Sequence, residues 1–162
     1  MYSLEFAKRL LEAAESFDVV KNDKDEVGRA ILYLSLLSCE ITLKALLEKA
    51  GFSVRELTKR SHDLRGLCKD ICSCELTGPG FANSKPHSAA SMLAKVVVKG
   101  TTNGTVGTLL SAENANASKF PNEIRYGELI KHFHPLDMLN CANIVAEWAA
   151  QNFNYIKRKD QK

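Results

Sequence analysis

The stretch VGRAILYLSLLSCEITLKALLEKAG, Val27 to Gly51, decides the fold class. Val27, Ile31, Leu34, Ile41 and Ala45 recur at helical spacing, and Leu36, Leu37, Leu43, Leu46 and Leu47 widen the apolar surface beyond a single stripe. A helix apolar over so much of its circumference belongs at the centre of a core or against a partner. Ser35, Ser38, Glu40, Thr42 and Lys44 interrupt residues 30–47 too often for an ordinary lipid-facing span, so no transmembrane helix is expected. Gly51 supplies the stop, because it takes the left-handed C-cap geometry that a side chain resists.

Upstream, the polar run Lys21-Asn22-Asp23-Lys24-Asp25-Glu26 offers a turn, N-cap candidates and acidic residues suited to the positive end of this helix. Before it, Phe6, Leu10, Ala13, Phe17 and Val20 fall at steps of three and four, which predicts a first amphipathic helix over 2–20. Downstream, Ser61 is the expected N-cap of a third, shorter helix that buries Leu64, Leu67, Cys68 and Ile71. From Leu76 to about Pro121 the chain turns rich in Gly, Ser, Thr and Asn, with Pro79 and Pro86. Residues 87–98 read as a helix through Ala90, Leu93, Ala94 and Val97 or, over Val96-Val97-Val98, as a short strand; a further short helix is placed at 105–115, and Lys99–Gly107 reads as a mobile loop.

A last helix is marked by Pro135 at a first-turn position, followed by Leu139, Ala142, Ile144, Val145, Trp148, Ala149 and Phe153 at helical spacing. No alternation is strong enough to imply a sheet. The expected fold class is therefore all-α, an up-and-down helical bundle of four to five helices. It forms one domain over residues 1–162, with a glycine-rich, irregular insertion at about 76–121.

Length and composition agree with one ordinary core: 162 residues, 45% apolar and 25% charged. The formal charge of +3 comes from 22 basic and 19 acidic residues interspersed along the chain, so no bulk basic field marks a nucleic-acid binder. The one dense run, Lys157-Arg158-Lys159, reads as a solvated tail. Glu5 puts charge near the start and no apolar stretch of signal length follows, which predicts a cytoplasmic protein with no membrane partner. The odd count of five cysteines then implies reduced thiols. Cys68, Cys72 and Cys74, with His62 nearby, lack the spacing of paired zinc knuckles, so neither a metal nor a cofactor is expected.

The segment Cys39-Glu40-Ile41-Thr42-Leu43-Lys44-Ala45-Leu46-Leu47, then Gly51, then Ser61-His62-Asp63-Leu64 with Leu67, resembles the central signature of the HEPN family (higher eukaryotes and prokaryotes nucleotide-binding). In that family an acidic residue precedes a Leu-Lys-Ala helix, a glycine stop follows, and a His-Asp-Leu sequence starts the next helix. Ile124-Arg125-Tyr126-Gly127, ahead of the last apolar helix, is similar to the family's C-terminal portion. The likeness covers roughly residues 2–72 and 105–155. It implies a helical bundle that commonly forms homodimers, and an activity shared by many members, metal-independent cleavage of RNA in toxin-antitoxin or phage-defence systems. It also implies the alternative of a non-catalytic interaction module that binds a nucleotide or a partner protein such as a nucleotidyltransferase antitoxin.

The family's ribonuclease motif is an arginine and a histidine with four to six residues between them; Arg125 and His132, with six between them, stand at the outer limit of that spacing. In the catalytic reading His132 transfers protons, with His134 as a competing acid/base, and Arg125 holds phosphate bidentately. Two copies in a dimer make a composite cleft. Glu40, set among Leu, Ile and Cys, needs a partner. That partner is either Lys44 one turn on or Arg125, which Glu40 would then orient. The structural reading pairs Arg125 with Glu40 or Glu123, packs Tyr126, and leaves His132 and His134 exposed or capping the final helix. His62 and Asp63 read as helix-start residues.

Overall fold

Ser3 opens the first helix by accepting the Phe6 N–H on its hydroxyl, and α1 follows over Leu4–Glu15. In this computed structural model the described residues are 1–17, 24–78, 89–101, 103–111, 117–127 and 131–159. The buried face of α1 is Ala7, Leu11 and Ala14, one residue round from the expected Phe6 and Ala13 stripe; Phe6 is 54% exposed. Close packing explains the shift. Ser38 of the next helix, α2 (Lys24–Ala50), donates its hydroxyl to the Ala7 carbonyl at 2.9 Å, an approach that small residues permit and a phenylalanine would block.

α2 is the central helix, with Ile31, Leu36, Leu43, Leu46 and Leu47 each at most 1% exposed. Glu26–Ala50 is long and apolar enough to cross a bilayer by length and composition, yet 72% of its most apolar window is buried inside the protein. Its breadth is taken up by α1, by α4 (Leu64–Cys72) and above all by α8 (Pro135–Asn152), so the pattern needs no second copy to account for it. Gly51 ends α2 at φ 109°, and the Phe52 N–H returns to the Leu47 carbonyl at 2.9 Å.

A short helix unseen in the periodicity, α3 (Val54–Lys59), is held by a capping box in which Ser53 and Glu56 exchange hydrogen bonds. The N-cap of α4 is Asp63, whose carboxylate accepts the Gly66 N–H at 2.8 Å. Ser61, the expected cap, instead sits at φ 48° within the preceding turn. The buried residues of α4 are the four expected, Leu64, Leu67, Cys68 and Ile71.

The all-helical reading holds. Among the described residues there are eight helices, more than the four to five expected, because the glycine-rich stretch and its flanks carry single-turn pieces: α5 (Ala89–Leu93), α6 (Val106–Leu110) and α7 (Asn122–Tyr126). Two small antiparallel ladders appear where no sheet was expected. β1 (Cys74–Leu76) pairs with β4 (Ile156–Arg158), and β2 (Val97–Val98) pairs with β3 (Gly104–Thr105). Strands of two or three residues are too short to show alternation.

The described part of Lys99–Gly107, read from composition as mobile, is tied to α8: Thr101 donates its N–H and hydroxyl to Asp137, each at 2.9 Å, and Asn140 donates to the Lys99 carbonyl. Gly100 permits that approach, since a Cβ there would lie 1.9 Å from Asp137 Oδ1. Residues 79–88 and 112–116 of the insertion lie outside the described residues.

Candidate polar site at the α2 and α7 surface

Glu40 sits in the middle of α2 and is 5% exposed, where an ionised carboxylate must find partners within the protein. Both of its oxygens have one. Lys44, a turn further on and equally buried, meets Oε1 at 2.6 Å and donates also to the Ser61 carbonyl at 2.5 Å. Oε2 meets Nδ1 of His62 at 2.8 Å. Because a carboxylate only accepts, Nδ1 carries the hydrogen, and in the neutral ring the lone pair is then on Nε2. The His62 side chain is 48% exposed, so a buried acid holds a histidine whose other edge meets solvent. The turn that delivers it is local: Asp63 N–H closes on the Arg60 carbonyl at 3.0 Å and the left-handed Ser61 swings the chain back toward α2.

From His62 a line of rings leads to Arg125. The His62 and Phe120 rings meet edge to face with centroids 5.8 Å apart at 89°, and Phe120 lies 5.9 Å from Tyr33 of α2. The Tyr33 hydroxyl accepts from the Arg125 guanidinium, whose carbon is 5.0 Å from the Tyr33 centroid and 5.7 Å from that of Tyr126. Tyr33 first, then Tyr126, favour the charged guanidinium. Arg125 lies in the last turn of α7, and the helix end is braced by Arg29. That guanidinium donates to the Ile124 carbonyl at 2.9 Å and to the Arg125 carbonyl at 2.5 Å while pairing with Glu26. The Arg125 guanidinium and the Tyr126 ring, 73% exposed, both face solvent; Tyr126 does not pack into the core.

The two other candidate histidines are engaged differently. Lys131 is pinned by Ser118, its carbonyl accepting from Ser118 N–H at 2.6 Å and its N–H donating to Ser118 Oγ at 2.9 Å, and this places His132 against the protein. His132 is half-buried, its Nδ1 shielded and without a partner, and burial pushes its pKa below the ordinary value. His134 caps α8, with Nδ1 accepting the Leu136 N–H at 3.3 Å. Among the described residues no hydrogen bond, ion pair or ring contact joins Arg125 to His132, to Glu40 or to Glu123. Glu40 has Lys44 and His62 instead.

Sequence reasoning missed Tyr33 and the engagement of His62. Tyr33 is one more apolar residue in a broad helix, and the sequence separation of 22 from Glu40 to His62 carries no periodic signal. The cysteines stand apart from this surface. None of the five is in a disulfide; Cys39 and Cys141 meet in the α2–α8 seam, and burial raises Cys68 and Cys74 to about 11. Such thiols stay protonated and unreactive at neutral pH. Among the described residues no three His, Cys, Asp or Glu side chains converge as a metal site would require. Comparison of the chain with family models, with curated proteins and with solved structures gives no match.

Proposed function

We propose that this chain is a HEPN-like cytoplasmic domain that binds RNA at the Arg125 surface and cleaves it without metal, in a toxin-antitoxin or phage-defence setting. One observation carries the reading: the exposed Arg125 guanidinium is set between the Tyr33 and Tyr126 rings. A guanidinium held this way offers its remaining N–H groups to a phosphate, and an exposed tyrosine beside it offers a face on which an unpaired base stacks. Cleavage requires a base for the ribose 2′-hydroxyl, an acid for the leaving oxygen and a cation for the phosphate. The neutral imidazole of His132 has the protonation state of a base, and a homodimer would bring a second copy's surface to the same strand.

The decisive test is cleavage and binding of structured and unstructured RNA by purified protein in EDTA, comparing wild type with Arg125→Ala and His132→Ala. Loss of binding in the arginine variant and of cleavage in the histidine variant supports the full reading. Cleavage unaffected by both changes sinks it.

A second reading, a non-catalytic interaction module for a nucleotide or a nucleotidyltransferase-type antitoxin, is favoured by the lack of any contact between Arg125 and His132. It predicts RNA or partner binding by a chain that never cuts. Co-purification with such a partner, together with intact RNA after prolonged incubation, would select it.

A further inference from the structure

The geometry points to His62, oriented by buried Glu40, as the acid/base of a phosphodiester-cleaving site on this surface. This inference rests on the RNA-cleaving reading above but assigns the proton transfer to a different residue. Three observations converge. First, Glu40 Oε2 and His62 Nδ1 lie 2.8 Å apart with the carboxylate side chain 6% exposed, so the tautomer and the ring orientation are fixed from inside the protein. Second, Nε2, the atom left with a lone pair, belongs to a side chain 48% exposed, so substrate can reach it. His132 lacks the first of these, since its Nδ1 is shielded and has no hydrogen-bond partner. Third, Phe120 and Tyr33 connect His62 to the exposed Arg125 guanidinium, the cation that the RNA-binding reading assigns to phosphate.

Lys44 completes the arrangement. It neutralises Glu40 from the buried side and is itself held by the Ser61 carbonyl, which fixes the backbone next to His62. The charged groups held with the imidazole are Glu40, which bonds it, and Lys44 behind Glu40; Arg60 of the same turn is paired with Asp70, Asp63 caps α4, and the Phe120 ring stands perpendicular to the imidazole. In the reaction, Nε2 takes the proton from a ribose 2′-hydroxyl as that oxygen bonds to phosphorus. The bond from phosphorus to the 5′-oxygen breaks with its electron pair leaving on that oxygen, and the same proton passes from His62 to it. The products are a 2′,3′-cyclic phosphate and a 5′-hydroxyl. No water or metal is consumed in the step.

The test uses the full chain, an end-labelled single-stranded RNA and EDTA throughout. His62→Asn keeps an amide donor facing Glu40 but cannot relay a proton. Its single-turnover cleavage rate is expected to fall about 10²- to 10⁴-fold with RNA affinity within about twofold of wild type. His62→Ala with added imidazole is expected to regain part of the rate, a rescue that a purely structural histidine would not give, and the wild-type pH–rate profile is expected to lose a limb in His62→Asn. Wild-type cleavage by His62→Asn, or no imidazole rescue of His62→Ala, overturns the assignment. If His132→Ala alone abolishes cleavage, the cleaving reading stands and His62 is excluded. If wild type binds RNA but never cuts it, this inference falls and the interaction-module reading remains; if it binds no RNA, both fall together.

Discussion

Two charged residues of this molecule, Glu40 and Arg125, are each held by aromatic and polar neighbours, but one is sealed and the other is open. Glu40 is 5% exposed with both oxygens satisfied by Lys44 and His62, whereas Arg125 sits at the surface with one hydrogen bond to a phenol and rings on two sides. Burial makes the partners of Glu40 obligatory, because an ion left alone there forfeits its hydration with nothing in return. At the surface water replaces any partner that is lost. Deletions at the first place should therefore be read in stability, and deletions at the second in binding.

The largest expected effect comes from Lys44→Met, which strands the buried carboxylate and should cost about 3–5 kcal/mol in urea unfolding. Glu40→Met combined with Lys44→Met should restore most of that loss. A Lys44→Met protein as stable as wild type would show that the two places do not differ as described. Next comes His132, which lies between the two extremes of exposure. Burial lowers its folded pKa below 6.5, so the unfolded chain binds the proton more readily. Stability is full above 6.5 and declines as pH falls through the interval down to the folded pKa, where the slope ends. Thermal melts from pH 8 to pH 5 should show this decline, and His132→Phe should flatten it. Arg125→Ala should shift stability by no more than about 0.5 kcal/mol while weakening RNA binding and reducing the salt slope by about 1. Smallest of all, Tyr33→Phe should leave urea unfolding within about 0.5 kcal/mol and loosen RNA only modestly, since Arg125 keeps both ring faces.

The same contrast separates what was legible in the sequence from what was not. The longer elements were plain: the breadth of α2, its stop at Gly51, the four buried residues of α4 and Pro135 at the head of α8 all follow from periodicity sustained over nine residues or more, or from a residue with one backbone preference. α3 and α7 span six and five residues, too few for a period to emerge. In α1 hydrophobicity pointed to Phe6, but Ala7 and Ala14 face α2 because helices that approach closely want small side chains there, a property of the pair and not of either strand of sequence alone. The need of Glu40 for a partner was legible, and Lys44 at one turn was the nearer of the two expected. That His62 would take the second oxygen depends on the left-handed Ser61, a conformation that composition does not announce.

The position of α2 also sets a schedule. It is complete at Ala50, yet the helix that covers it most, α8, starts at Pro135, and β4 closes on β1 only at Ile156. At roughly 5–20 residues per second, a ribosome needs several seconds to make the chain between them. Throughout that interval the nascent chain displays a 25-residue helix with the length and hydropathy of a membrane span and its principal neighbour still unmade.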